Sequence, residues 1–221
     1  MMPYILPPDK PEFPSPFVTD AEGIVAVGGA VTPPFLKAAY RLGIFPWYDE
    51  SFPVPLWWSP HERPLFYPGQ IKISKSMRQW IRRHPHYRIT KDRAFSDVLW
   101  YCASVKRKDG EGTWLNPKLR RSLRSLHEEG MAHSIEVWND RGELVGGLYG
   151  VDAGIKGRVF SGESMFSLEP DTSKYALIYL VQHLDEWGYD VADGQVVSPH
   201  LLRMGAVPVS REIFLRRYVG L

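Results

Sequence analysis

The stretch His133–Val151, HSIEVWNDRGELVGGLYGV, decides the fold because it contains two strands joined by a tight turn. Alternating apolar residues predict a strand over 133–138, the turn residues Asn-Asp-Arg-Gly occupy 139–142, and a return strand is predicted over 143–151. Downstream, the patterns predict a third strand over 158–162, a helix over 174–187 and a further strand over 190–197. The order β-β-β-α-β indicates an α+β fold for this part of the chain.

Proline is concentrated towards the other end of the chain. Fourteen of the 19 prolines lie in residues 1–68, where they predict extended chain and tight turns. One short helix is expected there, capped by Thr32 and ended by Gly43. We therefore predict a small Pro-rich N-terminal domain over 1–68, followed by a larger domain over 69–221.

The net charge of +2 conceals a strongly uneven distribution. Between Lys72 and Arg124 there are 15 basic and 4 acidic residues, a net charge of +11, whereas the remaining residues carry 12 basic and 21 acidic groups, a net charge of −9. Such segregation favours a polyanionic partner such as nucleic acid, with a solvated basic face as the alternative.

Two predicted amphipathic helices present cations on their outer faces. Ser74 is positioned to cap the first, and Asn116-Pro117 opens the second. A third helix between them is expected to be capped by Asp92. The candidate phosphate-binding residues are Lys75, Arg78, Arg82, Arg83, Lys118, Arg121 and Arg124.

Several classes of function are disfavoured. Cys102 is the only cysteine, so neither a disulfide framework nor a cysteine-based zinc site is expected, and the only close histidine pair is His84 with His86. We predict no metal and no other cofactor. No apolar run approaches the ~20 residues of a membrane-spanning helix, and the first residues do not resemble a secretion signal. We therefore expect a cytoplasmic protein that does not bind membranes.

Polar side chains cluster around the last predicted strand. Asp193 and Gln195 are two residues apart on that strand, so their side chains are expected to share a face, and Gly194 leaves space beside them. Glu163 follows the third strand and is expected nearby. Buried polar groups must be paired or used, so these residues form either a structural hydrogen-bond pair or a reaction site.

Longer motifs give the chain a family resemblance that runs from about Phe13 to Tyr218. It resembles the leucyl/phenylalanyl-tRNA–protein transferases, whose core is similar to the GNAT acyltransferase fold. The matching strings are AYRLGIFPWY (39–48), PLWWSP (55–60), GTWL (112–115), HSIEVW (133–138), LVGGLYGV (144–151), SGESMFS (161–167) and DGQ (193–195). The resemblance implies transfer of Leu or Phe, and Met as a further option, from aminoacyl-tRNA to the α-amine of proteins that begin with Arg or Lys. This addition would mark the acceptor proteins for the N-degron pathway.

The resemblance also implies roles for individual residues. Asp193 and Gln195 would form an amine-activating relay, in which Asp193 polarises Gln195, and Glu163 would contact the donor or the first residue of the acceptor. We expect a monomer. The residues expected to bind the aminoacyl-adenosine end are Trp47, Trp114, Leu148, Phe160, Gly162, Met165, Leu177, Leu180 and Ala192.

Two rival functions remain open at this point. One is another acyltransferase of similar fold, either CoA-dependent or a cell-wall aminoacyl-tRNA ligase, although no CoA-binding turn precedes a helix. The other is a non-catalytic module that binds tRNA through the basic segment.

Overall fold

The computed structural model describes residues 3–48, 52–105, 115–153 and 158–221 and contains two β-sheets. The smaller sheet has the order β1-β2-β4-β3 and the larger β11-β5-β10-β9-β8-β7-β6. The strands are β1 Tyr4–Leu6, β2 Ile24–Gly28, β3 Phe45–Pro46, β4 Leu56–Trp58, β5 Glu62–Phe66, β6 Arg88–Lys91, β7 Ala132–Trp138, β8 Leu144–Ala153, β9 Val159–Ser167, β10 Val191–Asp193 and β11 Val207–Ser210.

Helices precede, connect and follow these strands. They are α1 Pro33–Arg41, α2 Lys75–Arg83, α3 Phe95–Ser104, α4 Pro117–Glu128, α5 Thr172–His183, α6 Pro199–Met204 and α7 Arg211–Phe214, which continues into a π-helical turn over Leu215–Val219. Strands β7, β8 and β9, helix α5 and strand β10 follow one another as predicted, so the β-β-β-α-β core and the α+β class are confirmed.

The predicted domain boundary lies after residue 68, but strand β5, which precedes it, already belongs to the larger sheet. Strand β5 pairs antiparallel with both β10 and β11, through Leu65 with Asp193 and with Val207. One apolar core also runs through both parts of the chain, from Leu6 to Val219. The sequence concealed this because β5, ERPLF, contains a proline and two charged residues. The N-terminal part therefore packs as a layer on the larger sheet.

Two of the predicted helix caps are present. The Ser74 hydroxyl accepts a hydrogen bond from the Met77 N–H, and Asn116 accepts from the N–H groups of Lys118 and Leu119. The predicted cap of α3 is wrong, because that helix begins after Ala94 and Asp92 instead accepts hydrogen bonds from strand β7. Asp92 lies two residues before Ala94, the residue at the N-terminal cap position of α3.

The helices cover opposite faces of the larger sheet. Helix α2 packs with α5 on one face, in a core that includes Met77 and Leu177. Helices α3 and α4 pack on the other face, in the core that contains Phe95 and Leu119. Alternation along β8 separates the two, since Leu148 faces the first core and Tyr149 the second.

The glycines of β8 allow the protein to pack closely against itself. A Cβ atom on Gly146 would lie 2.3 Å from the Thr172 hydroxyl, and one on Gly150 would lie 2.4 Å from the Phe160 ring and 2.5 Å from the Ser161 carbonyl. The atoms nearest to these two glycines belong to the protein itself and not to a ligand. The glycines therefore allow close packing between strands and against helix α5.

We predict that Gly150→Ala lowers the free energy of unfolding by about 1–3 kcal/mol, because the new methyl group meets a backbone carbonyl that cannot move away. Denaturant unfolding followed by circular dichroism measures the change. The control is Gly142→Asn, at an open left-handed position that asparagine tolerates. Equal stability of Gly150→Ala and the wild-type protein would contradict the packing explanation.

Candidate active site

A cavity of about 320 Å³ lies where β9 and β10 part. The two strands pair in parallel only over Val159–Ser161 and Val191–Asp193, after which β10 ends while β9 continues. The divergence opens a space between the strands, and helices α5 and α6 contribute further walls. Cavities of this size accommodate part of a small ligand.

Most of the cavity wall is apolar, and most of it was predicted. Of the nine residues expected to bind the aminoacyl end, seven line it: Leu148, Phe160, Gly162, Met165, Leu177, Leu180 and Ala192. Phe66 and Leu201 add to the wall and were not predicted. Trp47 does not line the cavity; its side chain is exposed and packs against Trp58. Trp114 lies outside the described residues.

Glu163 enters the cavity from a β-bulge. Tyr149 of β8 pairs with Ser164 of β9 and Gly150 pairs with Gly162, so Glu163 is an extra residue between two register positions. The prediction that Glu163 follows the strand is wrong, because β9 continues to Ser167. Bulges redirect single side chains, and this one places a carboxyl group at the cavity wall.

Burial raises the pKa of the Glu163 carboxyl to about 7. The interaction with the buried Tyr40 side chain, the hydrogen bond from Gln195 and the charge of Arg63 act in the opposite direction, while the charge of Asp193 adds to the increase. Desolvation is the largest of these effects. The carboxyl group can therefore gain or release a proton near neutral pH, as a general base must.

Gln195 is held by its neighbours in an uncommon backbone conformation. Strand β10 ends at Asp193, two residues earlier than the position of Gln195, so the predicted alternation along one strand is wrong. Gln195 instead has φ of 63°, in the left-handed region. Its side-chain Nε2 donates to the Ser161 hydroxyl at 3.1 Å and to Glu163 Oε1 at 2.6 Å. With both amide protons used, the amide oxygen remains the acceptor of this side chain.

Asp193 is paired with an arginine that sequence reasoning missed. Arg63 of β5 donates from Nε to Asp193 Oδ1 at 3.2 Å and from Nη2 to Oδ2, while its Nη1 donates to the Gly43 carbonyl at 2.8 Å. Its guanidinium also lies 4.2 Å from the ring centre of Phe214. Both residues of the pair are 1 % exposed. The available signal was an arginine followed by the apolar residues Pro64, Leu65 and Phe66 of the same strand.

This geometry changes the role expected of Asp193. Its carboxylate contacts Gln195 through the backbone N–H, at 2.8 Å, rather than through the side-chain amide that was expected to be polarised. The same carboxylate is already bound by the guanidinium of Arg63. Asp193 therefore fixes the turn that carries Gln195, and we propose a positioning role for it.

Comparison with known proteins identifies the family of this chain. A family model described as leucyl/phenylalanyl-tRNA protein transferase matches residues 65–219, and the model of the N-terminal domain of the same family matches residues 29–61. The chain belongs to this family. A leucyl/phenylalanyl-tRNA--protein transferase of Syntrophobacter fumaroxidans is 46 % identical over 92 % of this chain and 84 % of its own length. The enzyme of that name from Hydrogenovibrio crunogenus is 44 % identical over 89 % of this chain and 75 % of its own length.

Similarity to solved structures is weaker. A structure described as L-PGS from Bacillus licheniformis overlaps with 71 % of this chain and 47 % of its own chain, with a TM-score of 0.43 and 14 % identity.

In this member of the transferase family, the predicted RNA-binding cations do not form one surface. All seven side chains are exposed. However, Lys75, Arg78, Arg82 and Arg83 lie on α2, whereas Lys118, Arg121 and Arg124 lie on α4, and the two helices cover opposite faces of the sheet. Only α2 shares its face with the apolar wall of the cavity, through Leu148 and Leu177.

The described part of the transferase contains neither a metal-binding cluster nor a membrane-spanning helix. Within it, no group of three or more His, Cys, Asp and Glu side chains is placed to hold a metal ion. Among the same residues, no helix combines the length and apolar character needed to cross a bilayer.

We predict that Asp193→Asn lowers kcat at least tenfold and leaves the Kd for tRNA unchanged, because the turn that carries Gln195 loses its anchor. It also lowers the free energy of unfolding by about 3–5 kcal/mol, since Arg63 loses its buried counter-charge. Steady-state transfer, filter binding and denaturant unfolding measure the three quantities. The control is Asp190→Asn, at an exposed position next to the same strand. A kcat at the wild-type level would exclude the positioning role.

Proposed function

We propose that the protein transfers leucine, phenylalanine or methionine from aminoacyl-tRNA to the α-amine of proteins that begin with Arg or Lys. The observation that carries this proposal is an apolar cavity lined by Glu163, whose carboxyl group accepts a hydrogen bond from Gln195, in a chain of this family. An unbranched or aromatic apolar side chain suits walls made of Leu148, Phe160 and Leu177. A single methylene changes such a fit by only ~1–3 kcal/mol, so selection depends on the shape of the cavity.

The reaction needs alignment and one proton acceptor. The amine nitrogen attacks the ester carbonyl carbon, the bond to the ribose oxygen breaks, and the proton lost by the amine passes finally to that oxygen. Gln195 offers its amide oxygen to an N–H of the amine, while ionised Glu163, beside it, takes the proton. Because the ester is already activated, holding both reactants in register contributes much of the acceleration, up to ~7–11 kcal/mol in well-oriented cases.

The preference for a basic first residue is consistent with the charge of the cavity. Glu163 is a carboxyl group that lines it without a cationic partner within ion-pair distance among the described residues, whereas Asp193 is neutralised by Arg63. A cationic acceptor favours the ionised form of Glu163 and so favours proton acceptance as well. Addition of an apolar residue to such proteins would mark them for the N-degron pathway in the cytoplasm, with the enzyme acting as a monomer.

The direct test is transfer of labelled leucine from charged tRNA to peptides that begin with Arg, Lys or Ala. We expect transfer to the Arg and Lys peptides and little to the Ala peptide. Binding of tRNA without product would support a non-catalytic RNA-binding module. Acetyl transfer from acetyl-CoA would instead support the CoA-dependent alternative.

The raised pKa of Glu163 gives a second test. In the wild-type enzyme, log(kcat/KM) should rise with a slope of two below pH 7, because both Glu163 (about 7) and the acceptor amine (~7.7–8.0) must lose protons. In Glu163→Gln the slope should fall to one, since only the amine titrates. An unchanged slope in the variant would remove Glu163 from the proton transfer.

Stability should respond to the same pKa. Folding raises the pKa of Glu163 from 4.5 to about 7, so its stabilising contribution is present below pH 4.5 and is lost as the pH rises to about 7. At pH 8, Glu163→Gln should therefore be more stable than the wild-type protein, by up to about 3 kcal/mol. Denaturant unfolding at pH 5 and pH 8 measures the difference.

A further inference from the structure

A second cleft, of about 210 Å³, adjoins the acyl cavity and was not among the predicted sites. The two share His200, which lines both. The cleft lies between the start of α2, the start of α5 and helix α6. Its charged and titratable lining residues are Lys72, Asp171, Lys174, His200 and Arg203.

Cations from three separate parts of the chain meet in this cleft. Lys72 precedes α2, Lys174 lies in the first turn of α5, and Arg203 lies near the end of α6. A single carboxylate, that of Asp171, opposes them through an ion pair with Lys174 at 2.5 Å. The excess of positive charge is therefore two, without counting His200.

His200 lies between the two cavities, and its pKa responds to the charges in the cleft. Its pKa is lowered by burial first, and then by the charges of Lys174 and Arg203. The imidazole is consequently neutral at pH 7 and adds no repulsion towards a cation or attraction towards an anion. The attraction for an anion comes from Lys72, Lys174 and Arg203.

We propose that Lys72, Lys174 and Arg203 form a subsite for a backbone phosphate of the RNA donor. This inference rests on the proposed function and deepens it. In an aminoacyl-RNA the ester is on the terminal ribose, and the nearest anionic group is the phosphate on the other side of that ribose. A donor whose acyl group occupies the apolar cavity would bring this phosphate towards the mouth at His200, where the cleft begins.

The charges also favour the donor over the acceptor as the occupant of this cleft. An acceptor that begins with Arg or Lys carries two positive charges at its first residue, the α-ammonium and the side chain, and three cations would repel it. The donor therefore enters along α2 and α6, and the acceptor reaches Glu163 by another route.

The test compares two donors that differ in the phosphate. The first is a 3′-aminoacyl-adenosine without phosphate, and the second is the same aminoacyl group on the dinucleotide cytidylyl-adenosine. Lys72→Ala, Arg203→Ala and the double variant are assayed with both, at several salt concentrations. Lys10→Ala and Arg216→Ala serve as matched controls at exposed positions outside the basic segment.

We expect the double variant to lower kcat/KM at least tenfold for the dinucleotide donor and for charged tRNA, and to leave the adenosine donor unchanged. The salt dependence with charged tRNA should flatten by ~0.7 in log–log slope for each cation removed. Two inhibitors of the wild-type reaction with the dinucleotide donor are also compared. Inorganic phosphate at millimolar concentration should inhibit this reaction less strongly than unacylated cytidylyl-adenosine does. Inhibition by phosphate as strong as that by the dinucleotide would indicate a free-anion site and overturn the proposal.

Equal losses with both donors would also overturn it, because the variants would then act on the acyl site or on folding. Unchanged rates with every donor would show that Lys72 and Arg203 do not bind the phosphate, which would also overturn the proposal. If the wild-type enzyme transfers nothing from any donor, the proposed function fails instead, so the two failures can be told apart.

Discussion

The site depends on the ion pair between Arg63 and Asp193, which is sealed from water. Burying two charges has an effective penalty of several kcal/mol per ion, which is offset only where hydrogen bonds satisfy the groups and the geometry is good. Here the guanidinium binds the carboxylate through two nitrogens and the Gly43 carbonyl through a third, and lies against Phe214. The pair thus connects the strand after the N-terminal layer, the end of β10, the turn after α1 and the C-terminal helix.

The pair fixes the backbone turn that carries Gln195. Asp193 Oδ1 also accepts the N–H of Gln195, whose left-handed φ would otherwise be unfavourable for a residue with a Cβ atom. Gln195 then donates to Glu163, which a β-bulge directs to the same place. Each group is held by its neighbour, so a change at Arg63 reaches Glu163 without touching the cavity wall.

The sequence predicted the fold core and the apolar wall because both follow from periodicity and from family motifs. Alternation gave β7 and β8, helix caps gave α2 and α4, and seven of the residues expected to bind the acyl end lie together in one cavity wall. It failed where a local exception decides the geometry. The bulge at Glu163 and the early end of β10 interrupt a pattern of period two, and Arg63 is 130 residues from its partner, beyond the reach of any local pattern.

The sequence also did not predict that α2 and α4 lie on opposite faces of the larger sheet. Counting charges along the chain contains no information about the sheet between the two helices. Placement then decides what each charge can do. The cavity interior has a carboxyl group whose pKa is raised by burial, and the adjoining cleft has an excess of cations. In the proposed reaction, the anionic donor would be drawn to the cleft and the cationic acceptor to Glu163, in two neighbouring spaces that share His200.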